Sequence, residues 1–374
     1  MTDYDKSMKK ILSVLLFLNA VVAIHAEEKP DLRFAYDVDF EMNFDNREFY
    51  ESDFTSSMTI FGARLAPSVG VSLSEKSGAA HRLMAGVDVM KDFGSAQTSE
   101  VFRDLLLYYN FKKQIGKTGM SIYAGIFPRK HMEGQWSQAF FSDSLKFYDN
   151  SIEGLLLKFQ RPEAYFEVGC DWMGQYGATR REKFMIFTAG EGSVTPMLSL
   201  GYAGYMLHYA NSDIAKGLVD NILLNPYARL DLDGITGLQK LSVKLGWLQA
   251  MQRDREYDGV FVFPYGVEFD QEVRNWNVGL LNKMFFGYDM MPYFNNYDNA
   301  GIKYGPNLYY GDPFYRIHDD GTKGFGVYDR LEAYYEPKIG KRIKLRVSAL
   351  FHFHDFVYSG CQQMISIRFN LNNR

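Results

Sequence analysis

Residues 32–44, LRFAYDVDFEMNF, alternate without a fault. Leu32, Phe34, Tyr36, Val38, Phe40, Met42 and Phe44 are apolar, and Arg33, Ala35, Asp37, Asp39, Glu41 and Asn43 lie between them. A period of two is the signature of a strand with one face in an apolar medium. The same alternation runs through 60–73, 240–247, 343–354 and 365–371. Strands of soluble sandwiches usually hold about five or six residues. A tilted strand that crosses a bilayer needs roughly 9–11. The length therefore points to strands that cross a membrane, with lipid on one side and a polar lumen on the other. Residues 101–112, 197–210 and 222–232 depart from the pattern, being apolar on both faces.

The pattern predicts strands near 32–44, 57–73, 81–91, 101–112, 119–127, 152–160, 163–172 and 183–189. The second half predicts 197–209, 219–232, 238–250, 273–284, 288–294, 325–336, 342–355 and 362–372. Short connections at 74–80, 113–118, 161–162, 190–196, 233–237, 285–287 and 337–341 alternate with longer ones at 45–56, 92–100, 128–151, 173–182, 210–218, 251–272 and 295–324. Outer-membrane barrels have short periplasmic turns and long outer loops. The fold class expected is all-β, a transmembrane antiparallel barrel of about 16 strands. Fourteen remain if 183–189 and 288–294 are not strands. Connection 356–361 is the one outer loop that breaks the alternation. Tyr109, Phe111 and Tyr335 fall at inner strand ends, and Trp247 and Trp276 toward outer ends, as membrane-interface girdles would.

The first residues set the compartment. Lys9 and Lys10 precede an apolar stretch from Ile11 to Ile24, and Ala26 is followed by Glu27 and Glu28. Basic, apolar and small residues in that order read as a signal peptide spanning 1–26, with Met8 an alternative start. The barrel then occupies 27–374. Composition narrows the function. Forty-one basic residues against 45 acidic exclude a large basic surface, so no nucleic acid is expected. The 26 Tyr and 30 Phe suit a β-rich chain. The two cysteines, Cys170 and Cys361, fall far apart around such a ring and are expected to be unpaired.

In these features the chain resembles the Gram-negative outer-membrane β-barrels, most of all the sixteen-stranded porins. The last strand, Met364–Leu371, occupies the place of the family's assembly signal, but its apolar face ends Phe369, Leu371, and Asn372, Asn373 and Arg374 follow. The resemblance implies an integral outer-membrane protein that passes small hydrophilic solutes, and it admits a homotrimer. It also implies a third outer loop folded into the lumen, here 128–151, without the acidic signature of general porins.

Candidate lumen and constriction residues follow. Arg129, Lys130, His131 and Glu133 lie in the third loop. Asp37, Asp39 and Glu41 lie on the first strand, and Lys240, Lys244, Arg330, Lys344 and Arg346 on later ones. A water-filled lumen lined by both signs would select solutes by size and field. A salt-bridge network in a plugged barrel is the alternative. His352 and His354 alternate on one strand face and could share a metal ion, with His318, Asp319 and Asp320 in the preceding loop. Polar lumen lining is the simpler reading, and no cofactor is expected. Residues 295–324, rich in Tyr, Asn, Asp and Gly, could bind a glycan. Three function classes are thus in view. A channel is first, a closed barrel binding a glycan or envelope partner through its outer loops is second, and a barrel hydrolase is third. With no His-x-Ser arrangement in view, the chain is expected not to be an enzyme.

Overall fold

The computed structural model describes residues 31–49, 52, 54–95, 101–257, 259–317 and 324–373. The expected signal peptide lies outside the described residues. Sixteen strands pair in chain order, each antiparallel to the next, and β1 closes on β16. The first eight are β1 (Asp31–Glu48), β2 (Met58–Ser74), β3 (Ala79–Asp92), β4 (Phe102–Ile115), β5 (Thr118–Pro128), β6 (Ser151–Arg161), β7 (Ala164–Gly174) and β8 (Lys183–Ser193). The rest are β9 (Leu198–Tyr209), β10 (Val219–Asp231), β11 (Lys240–Asp254), β12 (Tyr265–Asn275), β13 (Val278–Gly287), β14 (Gly326–Tyr335), β15 (Ile343–His354) and β16 (Val357–Asn372). Closure removes the unpaired edge that lipid could not satisfy. The seam is set by register, with Asp37 opposite Asn372, Glu41 opposite Arg368 and Arg47 opposite Gln362.

The alternation read from 32–44 is the alternation of faces. Leu32, Phe34, Val69, Val71, Leu105, Leu107, Leu245, Trp247, Val347 and Ile365 point outward and are exposed on the isolated chain. Asp37, Arg64, Ser68 and Asp88 point inward and are buried. Both cysteines are free, Cys170 on β7 and Cys361 on β16.

Four expectations are corrected. The segment 273–284 is not one strand, nor is 288–294 a strand. The chain turns at Trp276 and Asn277, both at positive φ (50° and 64°), between β12 and β13. That two-residue hairpin carries no Gly or Pro to announce it. Trp276 therefore sits at the periplasmic end, not the outer end. Likewise 356–361 is not a loop: Asp355 and Phe356 (φ 48° and 64°) make the turn, and β16 begins at Val357. The loop from β13 to β14 grows accordingly to 288–325.

The inward face is not uniform. On β1, β15 and β16 it is polar. Opposite, it is apolar: Tyr123 and Phe127 of β5, Leu156 of β6, Phe187 of β8, Tyr205 and Leu207 of β9, Leu223 of β10 and Leu248 of β11 are all buried. These strands include two of the segments that looked apolar on both faces. Their second face does not meet lipid. It meets Phe140, Phe141, Met290, Met291, Leu308, Tyr309 and Phe314, which two loops carry into the lumen. Each such side chain, fully buried, contributes about 1.5–3 kcal/mol.

The outward face makes a direct prediction. Leu245 lies in the middle of β11 and is 54% exposed toward lipid. Leu245→Arg should destabilise the barrel by about 2–4 kcal/mol, read from urea titration of protein folded into vesicles. A cost as small as that of Leu245→Ala would refute the assigned lipid face.

Candidate functional site

The connection between β5 and β6, residues 129–150, enters the lumen and is fastened at both flanks. Arg129, in a single 3-10 turn with Lys130 and His131, donates from Nη2 to Asp171 Oδ2 of β7 (2.7 Å) and from Nε to the Asp149 carbonyl (3.0 Å). Lys130 crosses to β1, where it bridges Asp37 (2.7 Å) and Asp39. His131 stacks on Tyr123 with ring centroids 4.4 Å apart. Glu133 accepts from Lys158 of β6 (2.8 Å). The carboxylate of Glu167 on β7 accepts from the backbone N–H groups of Glu133 (2.7 Å) and Gly134 (2.9 Å). The third loop thus fills the lumen as its position suggested. Its basic cluster, however, is spent on ion pairs that hold the loop to the wall.

The loop's far half is helix α1 (Asp143–Tyr148), capped by the Ser142 hydroxyl, which accepts from Leu145 N. Arg64 of β2 donates to the Phe147 carbonyl at the end of this helix (2.8 Å) while its Nε donates to Asp88 of β3 (2.7 Å). Arg47 donates to Ser144 Oγ (2.7 Å), and Arg330 reaches Asp143 (3.4 Å). Enclosure within the barrel would raise the Asp143 carboxyl, but Lys146, Arg330 and Lys283 outweigh it and hold it well below the usual carboxylate range. Arg64, Asp88 and Arg47 were not singled out from the sequence. The inward phase of β1, β2 and β3 places them in the lumen, but nothing local shows that they meet a loop.

The second inward loop is the connection from β13 to β14, described over 288–317. Five of its tyrosines, Tyr293, Tyr304, Tyr309, Tyr310 and Tyr315, turn in and are buried, while Tyr297 is exposed. Tyr309 donates to Gln252 (2.6 Å), Tyr304 to Asp254 (2.7 Å) and Tyr315 to Glu268 (2.7 Å), all on the wall. Ser137 of the first loop shares that Glu268. The loops also join each other, Ser142 N to the Tyr310 carbonyl (2.9 Å) and Asp312 N to the Gln138 carbonyl (2.8 Å). Phe314 wedges against His352 (4.5 Å between centroids), His354 and Tyr328. His352 is hydrogen bonded at Nδ1 to Tyr328 (3.1 Å) and at Nε2 to Gln362 (2.7 Å), and His354 at Nε2 to the Phe314 carbonyl (3.2 Å). The histidines therefore dock the loop rather than share an ion. Among the described residues no group of three or more His, Cys, Asp or Glu side chains is placed to hold a metal. His318, Asp319 and Asp320 lie outside the described residues.

What the loops leave open runs along the polar arc. An outer cavity of about 590 Å³ is lined by Asp45, Arg47, Phe49, Met58, Ile60, Tyr148 and Arg330 among others. It shares Asp45, Arg47 and Arg330 with a middle cavity of about 370 Å³, which adds Glu41, Glu332, Lys344, Arg346 and Arg368. Glu41, Lys146, Lys344 and Arg368 also line a periplasmic cavity of about 560 Å³. Of the sequence candidates, Glu41, Arg330, Lys344 and Arg346 gather in the middle cavity; Asp39, Arg129, Lys130 and His131 line the periplasmic one. Asp37, Lys130, His131 and Glu133 border a side pocket of about 210 Å³. Lys240 and Lys244 are paired on the wall with Asp231 (2.5 Å) and Asp270 (3.4 Å) and line none of these cavities.

Against known proteins, the chain matches over residues 24–209 the model of a family described as lipid A 3'-O-deacylase-type. That match overturns the expectation that the chain is not an enzyme. No curated protein matches it. Among solved structures, a loop-deletion mutant of OmpT, an outer-membrane protein of Vibrio cholerae, is 11% identical, with 91% of this chain and 99% of that one covered and a TM-score of 0.53. OccD3 of Pseudomonas aeruginosa is 10% identical, with coverages of 91% and 92% and a TM-score of 0.46. A mutant porin of Rhodopseudomonas blastica is 11% identical, with coverages of 91% and 100% and a TM-score of 0.46. At such identity the OmpT likeness concerns the fold. The chain is an integral outer-membrane barrel of porin-like architecture.

The buried Arg64–Asp88 pair offers a test of how the plug is held. Arg64→Met leaves Asp88 buried without its partner and the Phe147 carbonyl without its donor. The expected loss is about 3–5 kcal/mol, measured by urea unfolding, with most of it recovered in Arg64→Met/Asp88→Leu. Equal losses in the single and double variants would show that the charge pair is not what holds α1.

Proposed function

We propose that the protein is a restricted channel for small hydrophilic solutes, and that it prefers anions. The observation that carries this reading is the chain of outer, middle and periplasmic cavities that share lining residues along β1, β14, β15 and β16. A sixteen-stranded wall encloses more space than its own side chains fill. Here two loops fill one side and leave a charged path on the other. The periplasmic cavity is lined by Arg129, Lys130, Lys146, Lys341, Arg342, Lys344 and Arg368 against only Asp39 and Glu41. Lys341, Arg342 and Lys344 have no carboxylate within ion-pair reach among the described residues. A path with unpaired cations in a low-dielectric wall concentrates anions. Arg129 and Lys130 act as clamps of the loop in this reading, and Lys344 and its neighbours set the field.

Planar-bilayer recording tests it. The parent protein should conduct, and its reversal potential in a KCl gradient should carry the sign of chloride preference. Lys341→Glu with Lys344→Glu should move that potential toward potassium with the unitary conductance largely kept. Cation preference in the parent would overturn the anion reading, and silence from folded parent protein would overturn the channel.

A second reading is favoured by the match over residues 24–209. In it the barrel hydrolyses an acyl ester of lipid A. Mass spectrometry of lipid A from vesicles carrying the purified protein reads it directly. Loss of one acyl chain supports it, and an unchanged mass after prolonged incubation sinks it.

A further inference from the structure

We propose that the outer cavity is a recognition site for small zwitterions bearing an apolar side group, the chemistry of a hydrophobic amino acid. The inference rests on the channel reading and names what that channel takes up first.

The inward face of β2 is small or polar along most of its length, through Gly62, Arg64, Ala66 and Ser68. At its outer end it changes to Met58 and Ile60, both lining the cavity. Met58 remains 43% exposed although it faces the lumen rather than lipid. The described residues of the two loops do not cover it, while they do cover Phe127, Phe187 and Leu248 on the opposite arc. Across the cavity lie Leu145 and Tyr148 of α1. The outcome is an apolar wall left wet, in a space of about 590 Å³, within the roughly 300–1,000 Å³ typical of small-ligand sites.

The floor is different. Arg47 is paired with Asp45 (2.8 Å) and Arg330 with Asp143 (3.4 Å), and all four side chains line the cavity. Each pair presents both signs side by side. A lone anion placed there would meet the carboxylates as well as the guanidiniums. A carboxylate and an ammonium on one carbon can face an arginine and an aspartate together, in charge-assisted hydrogen bonds. The apolar wall then takes the side group out of water. Both features are needed to use the whole cavity.

The experiment compares three probes added to the outer side of the conducting parent protein. Phenylalanine carries both features, glycine the zwitterion alone, and 3-phenylpropionate the ring and the anion without the ammonium. Phenylalanine should reduce the current at a concentration roughly tenfold below either of the others, through the apolar wall in the comparison with glycine and through the ammonium–carboxylate contact in the comparison with 3-phenylpropionate. Met58→Ser with Ile60→Ser, at the outer end of β2, should bring phenylalanine to the level of glycine, with block read against the variant's own open current. Equal potency of phenylalanine and 3-phenylpropionate would overturn the zwitterion, and equal potency of phenylalanine and glycine would overturn the apolar wall. A parent that conducts but is blocked by none of the three refutes the site alone, whereas a parent that does not conduct refutes the channel beneath it.

Discussion

A ring of sixteen strands encloses a space that its own inward side chains cannot fill, and the rest of this structure answers that constraint. Either water or additional chain must occupy the lumen. In this protein two loops occupy one side and leave cavities on the other. The loops 129–150 and 288–317 bring aromatic and aliphatic side chains against β4 to β11, whose inward faces are largely apolar to receive them, with charged anchors such as Glu167 and Asp171 on β7. The remaining arc, from β14 through β16 to β1, keeps charged residues and the connected cavities. The cavities therefore lie to one side of the barrel, and their walls are as much loop as strand.

Charges inside such a lumen serve two purposes that the structure separates. Some fasten. Arg64 with Asp88, Arg129 with Asp171 and Arg181 with Asp298 are buried pairs whose members also hold loop backbone or loop carboxylates. A buried pair of this kind is costly to break and gives position rather than net stability. Others stay in water. Lys344 is exposed and lines the middle and periplasmic cavities, where a charge near low-dielectric walls projects its field into the open space. The same residue types on the same strand faces thus divide by whether a loop reaches them.

The match to a lipid A 3'-O-deacylase-type family over residues 24–209 and the porin-like fold of the whole barrel bear on different things. The fold describes how the wall is built. A site that cleaves or conducts depends on particular side chains placed on it. Nine of the sixteen strands fall wholly or largely in the matched region, yet the cavities draw equally on β14, β15 and β16, which lie beyond it.

The alternation of residues 32–44, 60–73 and 343–354 determined by itself that the chain is a membrane barrel and which residues face inward, because a period of two assigns faces without any knowledge of partners. It also carried a sign of the plug, in segments apolar on both faces, though that sign does not say what covers the second face. Two turns escaped it, since Trp276-Asn277 and Asp355-Phe356 adopt positive φ without the glycine that usually marks such hairpins. The ion pairs of Arg129 and Lys130 escaped it too. A basic cluster reads the same whether it faces a solute or a carboxylate, and only the closed ring brings Asp37, Asp39 and Asp171 to meet it. Which lumen charges remain free, and along which arc water remains, were decided by tertiary structure alone, because both depend on contacts between loop and wall that are distant in the chain.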